Sequence, residues 1–94
     1  MSTYIITRIT DRAGRPCARN PQVMQLGRRC EFIRQPAAGQ SLIADYADVE
    51  GLLRIPHVTA VHPLEPDGVI VETADSMYYF EPAGQTSMLL RLAE

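Results

Sequence analysis

The chain has 94 residues, 46% of them hydrophobic and 21% charged, with a formal net charge of −2 at neutral pH. This length fits one domain, and the composition is that of an ordinary globular protein rather than a disordered one. No run approaches the roughly 18 apolar residues of a membrane-spanning helix, and the pI of 5.6 lies far below the values typical of dedicated nucleic-acid-binding domains. The amino-terminal stretch MSTYIITRIT lacks the basic start, apolar block and cleavage site of a signal peptide, so we expect a cytoplasmic protein.

The first half of the chain predicts three strands, because β-branched runs and apolar–polar alternation favour pleated structure. These strands are residues 4–10, 26–34 and 41–46. In the second of them we expect Gly27 to form a bulge, which leaves Cys30 and Phe32 facing inward. The connection of residues 11–25 is long for a small domain, which is typical of a functional loop, a mobile loop or a hidden helical turn.

The second half predicts a short strand, 52–55, and then a three-strand meander over residues 57–82. Pro66-Asp67-Gly68 forms the first turn of the meander, since proline presets φ and glycine accepts positive φ. Ala74-Asp75-Ser76 forms the second turn. Residues 86–94 fit either a strand or a helix, and their leucine, methionine and alanine content favours a helix slightly.

Six or seven short strands at this spacing indicate a single all-β domain over residues 1–94. The predicted architecture is a small, partly open, Src-homology-like barrel, with a short carboxy-terminal helix as an addition. In the meander, Val69 and Val71 share one face with Thr73, while Glu72 marks the opposite face as partly solvated. The same alternation places Tyr78 and Phe80 together on one side of the last strand.

Four motifs carry a resemblance to a known group: TRITDRAGRP, NPxxxxLGRRC, GLLRIPHVTAV and DGVIVETADSMYYFEP. Together they resemble small β-rich bacterial proteins of unknown function, mainly from Firmicutes, that share a hairpin of the form VxTxNSxYxF near the end. Residues 74–76, Ala-Asp-Ser, stand where that pattern has an Asn-Ser turn. The resemblance covers most of the chain and implies a fold type without an activity.

The chemistry-bearing residues do not form a known catalytic, cofactor or metal motif. His57 and His62 are five positions apart, which places them on opposite faces of a strand and works against joint metal binding. There is no nucleophile elbow and no glycine-rich phosphate loop, and the absence of lysine excludes Schiff-base chemistry. Cys30 is expected in the core, and Cys17 in a loop near Arg15, where an exposed thiol is accessible. We therefore expect no cofactor, no metal and no enzyme activity.

The charge distribution is the main functional signal. Residues 1–34 hold seven arginines and two acidic residues, net +5, whereas residues 35–94 hold two arginines and nine acidic residues, net −7. Such asymmetry can indicate an anionic partner, and the guanidinium group suits phosphate and carboxylate. The candidate binding residues are Arg12, Arg15, Arg19, Arg28 and Arg29.

Two observations oppose a nucleic-acid interface: basic strands can pair with acidic ones in a folded barrel, and that half offers few aromatic side chains for base stacking. Our first hypothesis is a non-enzymatic protein-interaction or structural module whose edge strands support self-association or strand addition to an unidentified protein partner. The alternative is a nucleic-acid-binding small barrel that uses the arginine-rich segment 8–34. A third hypothesis is a minor enzyme that uses Cys17 or a histidine.

Overall fold

One antiparallel sheet of seven strands forms the part of the chain that the computed structural model describes, residues 3–17, 20, 25–47 and 49–83. The strands are β1 (Thr3–Thr10), β2 (Arg29–Phe32), β3 (Leu42–Tyr46), β4 (Leu52–Ile55), β5 (Ala60–Leu64), β6 (Gly68–Glu72) and β7 (Met77–Pro82). Their order across the sheet is β4-β3-β2-β1-β7-β6-β5. Two meanders, β2-β3-β4 and β5-β6-β7, therefore flank β1, which pairs with both β2 and β7.

The predicted fold class is confirmed, because the described residues form an all-β, compact and partly open sheet that does not close into a barrel. Consequently β4 and β5 remain as the two edge strands. The sheet curls around a single core, to which nearly every strand contributes alternate side chains. The fully or almost fully buried hydrophobic residues are Ile6, Ile9, Cys30, Leu42, Ala44, Leu53, Ile55, Val58, Val71, Tyr78 and Phe80.

Phe80 lies at the centre of this core. It is completely buried, and its ring contacts that of Phe32 edge-on at a centroid distance of 5.1 Å. Phe32 in turn stacks on Tyr4 with centroids 4.6 Å apart. The three rings come from β7, β2 and β1, so they connect the two meanders through the central strand. Aromatic pairs of this kind add about 0.5–1.5 kcal/mol beyond the area they bury.

A β-bulge at Thr7 interrupts the ladder between β1 and β7. The extra residue turns Thr7 to the outer face, where its hydroxyl donates to a Glu81 carboxylate oxygen at 2.8 Å. Arg8 follows on the same side and places its guanidinium 4.4 Å from the centre of the Tyr79 ring. Because bulges increase local twist and bend a strand, this one helps β1 to curl between the two meanders.

The predicted meander is confirmed as β5, β6 and β7, with the Val71, Tyr78 and Phe80 side chains directed into the core. The prediction for residues 26–34 was too long at its start. Leu26 and Gly27 form a turn, with a Gly27 φ of 84°, and the strand begins only at Arg29. Cys30 and Phe32 nevertheless face the core as expected. The helix suggested for residues 86–94 lies outside the described residues.

Thr10 carries a buried hydroxyl that finds no hydrogen-bond partner among the described residues, and the side chain is only 1% exposed. Leaving a buried polar group unpaired costs about 1–3 kcal/mol, and an apolar group of the same shape removes that penalty. We expect Thr10→Val to raise the free energy of unfolding by about 1 kcal/mol, measured by urea denaturation. Thr59→Val is the control, since the Thr59 hydroxyl is exposed and already donates to the Glu72 carbonyl. A loss of stability in Thr10→Val would contradict this account.

Candidate functional site at the turn between β6 and β7

A cleft of about 520 Å³ lies beside the turn that joins β6 to β7, and we call it the β7 cleft. Its lining comes from three parts of the chain that are far apart in sequence: the loop after β1, the end of β4 with the residues after it, and the turn itself. The lining residues are Cys17, Asn20, Ile55, Pro56, His57, Thr73, Ala74, Asp75, Ser76 and Tyr78. Its volume falls in the range of roughly 300–1,000 Å³ that is usual for small-molecule sites.

The wall of the cleft is held by Thr73 and Ser76, which close the turn. The Thr73 backbone N–H donates to the Ser76 carbonyl at 2.8 Å, and the Thr73 hydroxyl accepts the Ser76 N–H at 3.2 Å. The Asp75 N–H also lies 3.4 Å from that hydroxyl. This is the turn predicted at residues 74–76, but Thr73, whose side chain organises it, was missed. A threonine two positions before an Asp-Ser pair is the local signal that could have indicated it.

A polar network crosses the buried end of the cleft. The Asn20 side-chain amide donates to the Ser76 hydroxyl and to the Tyr78 hydroxyl, both at 2.9 Å. The Ser76 hydroxyl also lies 3.9 Å from the Cys17 sulfur. Ser76 and Tyr78 are 2% and 6% exposed, so these groups are fixed in a largely water-free environment. Buried networks of this kind are rigid, because breaking either of these bonds leaves a buried polar group unpaired.

Cys17 and His57, which the sequence treats as unrelated, line the same cleft. Cys17 is half-buried and its backbone N–H donates to the Ile9 carbonyl at 3.2 Å, which fixes it against β1. His57 is exposed and has a φ of 58°, a left-handed backbone conformation that few non-glycine residues adopt. Asp75 is the one permanently charged side chain among the described residues of the lining. The cleft therefore has an apolar floor, a hydrogen-bonding end and a slightly acidic rim.

The candidate arginines are divided between different places. Arg12 forms an ion pair with Glu72, with 2.7 Å between Nη2 and Oε2, and Arg15 pairs with Asp11 at 3.7 Å. The backbone N–H of Arg15 is also the main reason why the pKa of the Asp11 carboxyl lies below its usual value. Arg19 lies outside the described residues.

Arg28 and Arg29 lie near the opposite end of β1 from Arg12. The Arg28 carbonyl accepts the Ile6 N–H, and Arg29 is opposite Ile5 in the ladder between β1 and β2. Ile5 and Thr10 are five positions apart in β1. At a rise of about 3.3 Å per residue, Arg29 therefore lies roughly 16 Å along the strand from the loop after Thr10.

His62 is exposed, and its ring has a carboxylate partner. Its Nε2 lies 2.9 Å from Oε1 of Glu72, whose other oxygen holds Arg12. In the ladder of β5 with β6, Glu72 is opposite Ala60 and His62 is two residues further along β5, so the two side chains are diagonal neighbours on one face. The hydrogen bond from His62 is the largest contribution that lowers the pKa of Glu72, and the nearby Arg12 charge lowers it further.

This lowered pKa gives Glu72 a defined pH dependence. A carboxyl group whose pKa is lower in the folded state stabilises the fold above its unfolded value and loses that contribution as the pH falls. The ordinary value is 4.5, so we expect the melting temperature to drop as the pH falls from about 5 toward the lower, folded-state pKa. Glu72→Gln should flatten that part of the pH profile. Identical profiles for the two proteins, measured by thermal denaturation in weak buffers, would contradict this role of Glu72.

The two edges of the sheet differ. The fourth of the five residues of β5 is Pro63, which supplies no backbone N–H. β4 contains no proline, and its Leu52 side chain is 60% exposed, the largest exposure of a large hydrophobic side chain among the described residues. Natural edge strands are usually blunted by charge, proline or a cover. By this criterion β5 is protected by its proline, whereas β4 has only the charge of Arg54 beside an exposed leucine.

No group of three or more histidine, cysteine, aspartate or glutamate side chains within the described residues is arranged to hold a metal ion. Nor does that part of the chain contain a helix long and apolar enough to cross a membrane. Comparison with protein-family models, with curated proteins and with solved structures found no match.

Proposed function

We propose that this chain is a non-enzymatic interaction module that binds a second copy of itself through the free edge of β4. The proposal depends chiefly on the difference between the two edge strands. β4 has an exposed leucine and no proline, whereas β5 contains a proline. A cytoplasmic location, expected from the sequence, is part of the proposal, and both described cysteines carry free thiols.

The hydrogen-bond pattern of β4 indicates which backbone groups face the edge. The Tyr46 N–H donates to the Gly51 carbonyl at 3.1 Å, so this pair is a hydrogen-bonded one. Hydrogen-bonded and non-hydrogen-bonded pairs alternate along an antiparallel ladder. Leu53, opposite Ala44, therefore turns its N–H and C=O toward β3, whereas Leu52, opposite Asp45, turns its own outward.

A two-fold axis at Leu52 gives the pairing that fits these directions. The Leu52 N–H of each copy donates to the Leu52 carbonyl of the other, and the two exposed side chains come together on the outer face. Two-fold dimers are the commonest symmetric assemblies, and their interfaces are self-complementary in this way. Because β4 has only four residues, the association should be weak.

The arginine contacts favour this function over the nucleic-acid alternative. Arg12 and Arg15 each have a carboxylate partner, and an ion pair lowers the charge available to phosphate. Arg28 and Arg29 lie elsewhere on the sheet. We expect no salt-dependent binding to a random oligonucleotide at low ionic strength. Affinity that falls steeply with added salt would instead support the alternative.

The test is sedimentation equilibrium from about 10 μM to about 1 mM protein. We expect the wild type to show reversible dimer formation in this range. Leu52→Lys should weaken it by about tenfold or more, since it sets two cations together at the axis and removes apolar contact. The side chain is exposed, so the stability of the monomer should change by about 0.5 kcal/mol or less.

Leu26→Lys is the matched control, because Leu26 is 41% exposed but lies in the turn before β2, away from β4. It adds the same charge and should leave the dimer unchanged. A wild type that remains monomeric up to the highest concentration would overturn the proposal, as would equal weakening by both variants.

A further inference from the structure

We propose that the β7 cleft binds an uncharged small molecule that bears an amide or similar carbonyl group, whose oxygen accepts a hydrogen bond from the Tyr78 hydroxyl. This site is independent of the β4 edge. Here a cavity of ligand size is lined by a buried hydrogen-bonding residue that still has a proton to donate.

The Tyr78 hydroxyl is identified as the donor by counting the N–H and O–H hydrogens of Asn20, Ser76 and Tyr78 and their acceptors. A side-chain amide nitrogen carries two hydrogens, and Asn20 donates them to the Ser76 and Tyr78 hydroxyls. Both hydroxyls are therefore acceptors toward Asn20, and each must direct its own proton elsewhere. Ser76 has the Cys17 sulfur as a neighbour at 3.9 Å. For the Tyr78 proton, the described residues supply no acceptor.

Tyr78 is 94% buried, and leaving a buried hydrogen bond unmade is unfavourable. Its side chain is part of the core and also lines the cleft, and its hydroxyl is bound to Asn20, another lining residue. The site thus presents a fixed O–H donor at the buried end of a cavity. A carbonyl oxygen is the complementary group.

The described residues of the lining favour an uncharged ligand. Ile55 and Pro56 offer apolar surface for the body of the molecule. No described lining residue carries a permanent positive charge, and Asp75 at the rim disfavours an anion. At the same rim, Asp75 and His57 can bond to an amide N–H. A neutral amide can form hydrogen bonds at both ends of the cleft. A carboxylate is repelled by the Asp75 carboxylate, and an amine has no carbonyl oxygen to accept the Tyr78 proton.

The test is a titration of ¹⁵N-labelled protein followed by NMR, with N-acetyl-leucinamide as the probe. We expect saturable shifts of the backbone amides of Cys17, Asp75 and Ser76, and no shift at Leu52. N-acetyl-leucine, which carries a carboxylate, should bind more weakly. Isoamylamine, which lacks a carbonyl oxygen, should not shift these amides. Bound N-acetyl-leucinamide should also slow alkylation of Cys17 by iodoacetamide.

Tyr78→Phe removes the donor while keeping the ring, and we expect it to weaken N-acetyl-leucinamide binding by about 3- to 10-fold. Tyr79→Phe is the matched control, since Tyr79 lies on the opposite face of β7 under Arg8, and it should bind as the wild type does. The proposal is overturned if N-acetyl-leucinamide produces no saturable shifts, if the amine or the carboxylate binds as well as the amide, or if Tyr78→Phe binds unchanged. The three wild-type titrations decide the matter even if Tyr78→Phe does not fold.

Discussion

Replacing Phe80 by alanine is expected to lower the free energy of unfolding by about 3–5 kcal/mol, the usual range for removing a buried aromatic ring. Phe80 is fully buried and touches Phe32 from the neighbouring meander, so the cavity would open between the two halves of the sheet. Domains of this kind are stable by only about 5–15 kcal/mol. The variant should therefore be close to unfolding, which far-ultraviolet circular dichroism in urea would measure.

The control is Tyr79→Leu, one position away on the opposite face of β7. It removes the ring that Arg8 covers but leaves the core intact, and we expect a loss of about 0.5–1 kcal/mol. Comparable losses in the two variants would contradict the assignment of the core to a single face of the sheet.

Gly68→Ala should be the second most damaging substitution. A Cβ atom at Gly68 would lie 2.5 Å from the Phe80 backbone carbonyl oxygen, a separation that real structures do not show. Because that oxygen belongs to the backbone of β7, the two strands must move apart to admit a methyl group. Overpacking of this sort costs about 1–3 kcal/mol. Urea denaturation of the alanine variant gives the measurement.

A double variant distinguishes the effect of the Phe80 backbone oxygen from that of the Leu64 side chain, both of which lie near the added methyl group. A Leu64 methyl carbon lies 3.3 Å from the same Cβ position, and trimming it with Leu64→Ala gives room on one side only. We expect Gly68→Ala to remain destabilising in the Leu64→Ala background. Full recovery there would show that the side chain, and not the close approach of β6 to β7, makes glycine necessary.

The meander could be predicted because its signals are local. Alternation with a period of two residues fixes which side chains share a face, and Val71, Tyr78 and Phe80 all lie in the core as that pattern requires. The turn residues Asp67 and Gly68 mark the strand ends within a few positions. The same rules placed Cys30 and Phe32 inward. They failed for the start of β2, since alternation also runs through the turn at Leu26 and Gly27 and does not mark where pairing begins.

The β7 cleft could not be predicted, because its groups meet only through the topology of the sheet. Asn20 and Ser76 are 56 positions apart and come together because β7 pairs with β1 rather than with its sequence neighbours alone. No local pattern links a loop asparagine to a distant serine and tyrosine. The ion pair of Arg12 with Glu72 has the same origin, so the sequence shows an excess of arginine without showing where each charge is neutralised.

Amide hydrogen exchange at Leu52, measured at low and at high protein concentration, tests the proposed β4 interface most directly. The account predicts that the Leu52 N–H exchanges quickly in dilute solution and becomes protected as the concentration rises. The Leu53 N–H, directed toward β3, should be protected at both concentrations. Exchange at Leu52 that does not change with concentration would contradict the β4 interface.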